Sequence, residues 1–125
     1  MPKLKLRRVR FSKDADIGLR TLKARTGITP NLLCRVALCL SLEEPGVPDP
    51  GQYPEDSDRE INKPTLLGDY ETLFTALAVQ RTAQDGLDPT QLDAQLRAHI
   101  HRGITTLTGR VRGLSDLPSA FPAQP

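Results

Sequence analysis

Near the N-terminus, Leu4 and Leu6 alternate with Lys5 and Arg7, and Val9 and Phe11 flank Arg10 after Arg8 breaks the register. A period of two marks a half-buried strand, and the slip marks a bulge near Arg7 and Arg8. At Lys13 the period becomes helical. Ser12 can accept from the free amides that open a helix, Asp14 complements their dipole, and Gly27 suits a helix stop, so a helix is predicted from Lys13 to Thr26. Ala15, Leu19, Leu22 and Thr26 form its core stripe, with Lys13, Arg20 and Lys23 on a neighbouring arc. Ile17 and Ala24 fall nearly opposite the core, a small apolar face suited to a subunit contact. Thr29 and Pro30 open a second helix as cap and first residue. Its stretch from Leu32 to Leu42 is apolar nearly all round, which demands cover on most faces. In so small a chain, that demand points to a second subunit.

Residues 43–68 hold five prolines and three glycines among carboxylates, a composition that breaks regular helix and predicts a wrapping, ordered or semi-ordered loop. Asp69 is placed to cap a helix carrying Leu73, Phe74, Leu77 and Ala78 and ending at Gly86. Asp88 and Pro89 open another, with Leu92, Leu96, Ile100, Leu107 and Val111 on its apolar side. Gly103 and Gly109 within it either bend the helix or admit a close neighbour. Residues 116–125, proline-rich at the end, read as a flexible tail. The expected fold is mainly α, with a short N-terminal strand and a four- to five-helix bundle in one domain over residues 1–115. Its N-terminal half has the order of a ribbon-helix-helix unit, and the expected state is oligomeric.

Composition removes several classes. No run approaches the eighteen apolar residues of a membrane span, and the basic first ten residues lack the apolar core of a secretory leader. The expected location is cytoplasmic. Two cysteines five apart make no disulfide framework. Aromatics at 4%, with no Trp, disfavour a base-stacking platform for single strands. The net charge of +2 hides a strong division. Residues 1–25 carry nine cations against Asp14 and Asp16, whereas residues 43–100 carry twelve carboxylates against four cations. A basic head of this kind suits a polyanion. The alternative is that head and middle neutralise each other, within one molecule or between subunits.

Candidate chemistry is sparse. Cys34 and Cys39 lie about 140° apart on a helix, and His99 and His101 point to different faces, so the four make no metal site. A thiol on the apolar second helix is an inert one, its pKa raised rather than lowered. Phosphate-binding and nucleophile-elbow motifs are missing. Asp56 and Asp58 fit a solvated acidic loop. No catalytic residue, cofactor or metal is expected, and the chain reads as a non-enzyme.

The basic head admits two binding modes. As a ribbon-helix-helix unit, strands of two subunits would pair and enter the major groove, with Lys5, Arg7 and Arg10 facing bases and the amides near Thr29 to Asn31 meeting a phosphate. As a patch, the cations would hold backbone phosphates without reading sequence. Dominance of Lys and Arg, with no Asn or Gln in the head, favours the patch.

The segments Arg8 to Asp16, Leu22 to Arg35 and Leu40 to Gly46 resemble the DndE family, the small subunit of bacterial DNA phosphorothioation systems. Thr65 to Tyr70 and Arg97 to Gly103 fit as well, and Thr26 to Asn31 is the most specific stretch. The resemblance covers about residues 7–115 and leaves the tail outside. It implies a helical subunit that forms a homotetramer and binds double-stranded DNA, nicked duplex being a proposed preference. It also implies work beside an iron–sulfur sulfur-transfer enzyme and an ATPase that replace a phosphate oxygen by sulfur. On that likeness the DNA contacts are Lys5, Arg7, Arg8, Arg10, Lys13, Arg20, Lys23 and Arg25. The subunit contacts are Ile17, Ala24 and Gly27, with Ala24 a departure from the family's glycine. The rival expectations are a ribbon-helix-helix repressor and a protein adaptor that never touches DNA.

Overall fold

In the computed structural model, which describes residues 2–121, the first helix has the bounds its capping signals predict: α1 spans Lys13–Thr26. The Ser12 hydroxyl accepts from the Ala15 amide at 3.1 Å, and Gly27 ends the helix in the left-handed region at φ 76°. Ala15, Leu19, Leu22 and Thr26 are all buried, while Ile17 is 58% exposed.

The second helix, α2 (Pro30–Glu43), begins where Thr29 and Pro30 place it, without the expected side-chain cap. The Thr29 hydroxyl donates instead to Asn31 Oδ1 at 2.6 Å. The cover that α2 demands comes mainly from the same chain. Leu33, Cys34, Ala37, Leu38 and Leu40 are buried, and the long helix α5 (Leu92–Arg110) lies along it. Gly103 makes that approach possible: a Cβ there would stand 1.8 Å from the Ala37 carbonyl oxygen. Leu32 stays 44% exposed and Val36, Cys39 and Leu42 are half-buried. Most of α2's apolar surface is therefore covered without a second subunit.

No glycine terminates α2. Its last carbonyls are met by two arginines, Arg81 from α4 (Glu71–Gln84) and Arg102 from α5. Arg81 donates to the Leu42 and Gly46 carbonyls at 2.8 and 2.5 Å, and Arg102 to those of Ser41 and Gly46 at 2.8 and 3.0 Å. Cations at a helix C-terminus oppose its dipole, and here they also close the turn at Glu44 to Gly46. Arg102→Ala should lower unfolding free energy by roughly 2–4 kcal/mol, because it removes these bonds and the one that its Nε gives the buried Ser41 hydroxyl. A urea midpoint within error of the wild type would refute that role.

The acidic middle is more regular than its composition predicts. It contains a strand, β2 (Glu60–Asn62), and a short helix, α3 (Lys63–Leu67), capped by the Asn62 side chain. β2 runs antiparallel to β1 (Arg8–Arg10), with Arg8 opposite Asn62, Val9 opposite Ile61 and Arg10 opposite Glu60. The ribbon is thus made within one chain, not between subunits as in a ribbon-helix-helix dimer. On the far edge of β1, the Arg10 carbonyl accepts from Arg97 Nε at 2.8 Å.

Asp69 lies in a 3₁₀ turn before α4 and does not cap it, and Leu73 is 54% exposed where its spacing predicted core. Asp88 caps the 3₁₀ turn Pro89–Gln91 that leads into α5. Where a flexible tail is expected, α6 (Leu117–Ala120) buries Ala120, whose carbonyl accepts from Arg110 at 2.7 Å. Residues 122–125 of that tail lie outside the described residues. Among the described residues no helix is long and apolar enough to cross a membrane.

Candidate nucleic-acid interface

Alternation along the ribbon turns Val9 and Ile61 into the core and leaves Arg8, Arg10, Glu60 and Asn62 on the exposed face. Arg7, Arg8 and Arg10 line an open groove of about 660 Å³, joined by Leu6, Pro50, Ala94 and Arg97 and edged by Glu55 and Asp93. Lys5 is exposed beside it, its amide held by the Asp93 carboxylate at 3.0 Å. Three predicted contacts therefore meet at one groove. Arg97 joins them unpredicted, donating to Arg10 and Tyr53 carbonyls at 2.8 and 2.6 Å. No periodicity in α5 marks Arg97; only the approach of β1 to α5 does.

The junction from β1 to α1 is pinned by His101, which is buried between Phe11 and Tyr53 at ring distances of 5.3 and 5.1 Å. Its Nδ1 lies 2.8 Å from the Arg97 carbonyl, which can only accept, so the ring proton sits on Nδ1. Nε2 is then free to accept from the Ser12 amide at 3.2 Å. A protonated ring would face that amide with a second donor. Burial pushes the pKa of His101 down to about 4, and burial, then Arg102 and Arg81, does the same to His99, beside Ser41.

Unfolding frees both rings to titrate near 6.5. In the folded chain both rings stay neutral until about pH 4, so their contribution to stability is full above 6.5 and is lost as pH falls through that window. The loss amounts to about 3 kcal/mol for each histidine. Urea midpoints at pH 7.5 and 4.5 should differ accordingly, and the difference should shrink in His101→Gln. Equal wild-type midpoints at both values would sink the prediction.

The other cations fall into separate places. Lys13 is exposed at the start of α1, where its amide donates to Asp56 at 2.8 Å. Lys23 is exposed farther along α1. Arg20 is spent on Asp16, to which Arg59 also binds at 2.5 Å; Arg20 first, then Arg59, holds that carboxyl below its ordinary pKa. Arg25 turns away from the surface and donates to the Thr108 and Val111 carbonyls at 3.3 and 3.2 Å, closing the end of α5. Ile17, Ala24 and Gly27 are all exposed on α1 and its cap.

Part of the acidic middle does fold back on the head, through Glu60 on Arg8 and Arg10 and Asp56 on α1. Lys5, Arg7, Lys13 and Lys23 make no ion pair among the described residues. Cys34 is fully buried and its thiol is pushed up to about 12 by that burial, the pKa of an inert core residue. No group of three or more metal-ligating side chains converges among the described residues.

The family model of DndE, the DNA sulphur modification protein, matches residues 8–113. The chain belongs to the DndE family. Two solved DndE structures share its fold. One is DndE from Escherichia coli B7A involved in DNA phosphorothioation modification, 28% identical, with a TM-score of 0.66 over 80% of this chain and 94% of that one. The other is a DndE carrying glycine-to-lysine substitutions, also described as involved in DNA phosphorothioation. It is 26% identical, with a TM-score of 0.65 over 82% and 97% of the two chains. No curated protein sequence matches. As a DndE-family chain, the protein is tied to DNA sulfur modification, and the matched span takes in the ribbon, Arg8, Arg10 and Arg97 of the groove, and His101.

Proposed function

We propose that the chain is a non-catalytic subunit of the phosphorothioation machinery that binds the backbone of duplex DNA through its basic head and positions the sulfur-transfer enzymes. The carrying observation is the groove, where the exposed Arg7, Arg8 and Arg10 gather beside the largely buried Arg97. Guanidinium groups suit phosphate oxygens, and nothing in the groove offers the amide side chains that read adenine. Lys5, Lys13 and Lys23 extend the cationic surface. Arg20 and Arg25 contribute less, since each is held by an acid or by carbonyls of its own chain. An assembly of several copies, through a face at Ile17, Ala24 and Gly27, would multiply that surface. The iron–sulfur enzyme and the ATPase of the pathway are the expected partners.

The ribbon-helix-helix repressor fits less well, because β1 pairs within the chain and Arg97 takes its other edge. Competition binding separates the readings. A backbone binder should hold mixed-sequence duplexes of equal length with similar affinity. A preference of about a thousandfold for one operator would instead mark a repressor. Failure to bind DNA, with nuclease-resistant capture of the other pathway proteins, would mark an adaptor. Light scattering tests the assembly: a mass of 13.8 kDa at micromolar concentration would contradict it.

A further inference from the structure

The ribbon carries one carboxylate on its cationic face. Glu60 Oε1 lies 3.5 Å from Arg8 Nη1, and its Oε2 lies 3.6 Å from Arg10 Nε. The three side chains are about half exposed, at 46%, 48% and 55% for Glu60, Arg8 and Arg10. One singly charged group thus offers one oxygen to each of two guanidiniums. A phosphodiester carries the same charge on two non-bridging oxygens and can be shared between two arginines in the same way. We infer that Glu60 occupies, in the DNA-free protein, a seat for one backbone phosphate between Arg8 and Arg10, and that bound duplex displaces it.

This rests on the reading of the head as a DNA-binding surface. Three observations favour exchange over a fixed structural pair. Both contacts are long for charged hydrogen bonds and open to solvent, so water and salt screen them. The ribbon does not depend on them, because its register is set by the backbone, including Phe11 to Arg59 at 3.0 Å and Lys63 to Arg7 at 2.8 Å. Glu60 also differs from the carboxylate on the inner side of the head: Asp16 is buried and doubly bound, a structural acid. Glu60 is therefore a built-in competitor. It lowers affinity for every duplex alike and subtracts one phosphate from the salt response.

Glu60→Gln keeps the side chain's length and removes the competing charge. Its binding to a fluorescein-labelled, 20-base-pair mixed-sequence duplex is compared with wild type between 50 and 200 mM salt. The variant should bind about three- to tenfold tighter at 50 mM, with a log–log salt slope steeper by about 0.9. The gain should shrink about three- to fourfold by 200 mM. It should vanish when Arg8 and Arg10 are both alanine. Glu43→Gln, which removes a like charge from the exposed end of α2, should leave binding unchanged.

Equal affinity and slope for wild type and Glu60→Gln, with wild type still binding, would overturn the inference and leave the DNA-binding reading intact. An equal gain in Glu43→Gln would overturn it too, by showing a bulk-charge effect. Binding by neither protein would remove both claims.

Discussion

Gly103→Ala should unfold the protein far more readily than wild type, by roughly 3–5 kcal/mol and more than about 10 °C in melting temperature. Helix propensity alone predicts the opposite sign, a gain of about 1 kcal/mol on replacing a mid-helix glycine by alanine. Packing decides, because the added methyl would stand 1.8 Å from the Ala37 carbonyl oxygen. That oxygen belongs to backbone and cannot swing aside as a side-chain tip would. α2 and α5 would have to separate, opening the interface that buries Leu33, Leu38, Leu96 and Ile100. Gly109→Ala, in the same helix with nothing within 4 Å, should instead stabilise by about 0.5–1 kcal/mol. Opposite shifts in two urea curves check the crossing. A Gly103→Ala variant as stable as Gly109→Ala would show that the helices do not meet there.

The second large effect concerns binding. Reversing Arg7, Arg10 and Lys23 to glutamate should cut affinity for duplex DNA more than about a hundredfold at 50 mM salt. Each reversal removes a phosphate contact and adds repulsion, and together they should flatten the log–log salt slope by about 3. All three residues are exposed, so circular dichroism and melting should stay near wild type. The loss should be the same on every sequence, since phosphate contacts carry no base information. Undiminished binding by the folded triple variant would refute the assignment of the head.

The sequence made α1 legible because its signals are local: Ser12 at one end, Gly27 at the other, and a four-residue stripe between. The buried side of α2 is equally visible, but the identity of its cover is not, because α5's approach depends on Gly103 meeting Ala37 across 66 positions of chain. β2 was hidden for a similar reason. Three residues, Glu60 to Asn62, become a strand only by pairing with Arg8 to Arg10, and proline-rich surroundings masked them. Of the proposed contacts, composition found the head, and the fold then sorted it. Arg25 proved to be a helix cap, Arg20 a partner of Asp16, and Arg97 entered from a helix whose pattern gave no hint of it. Polar residues met across distant elements, such as His101 beneath Ser12, are the class that periodicity cannot reveal.

A salt titration of wild-type binding to intact, nicked and single-stranded DNA of one sequence tests the backbone-binding role most directly. Six of the exposed head cations, Lys5, Arg7, Arg8, Arg10, Lys13 and Lys23, with Arg8 and Arg10 sharing one phosphate, set the scale at about five to six phosphates. Duplex, intact or nicked, should then be preferred over single strands. Affinity should fall about a thousandfold between 50 and 200 mM salt, a slope near −5. No binding at 50 mM, or an affinity indifferent to salt, would contradict it and leave the charged head as a surface for another protein.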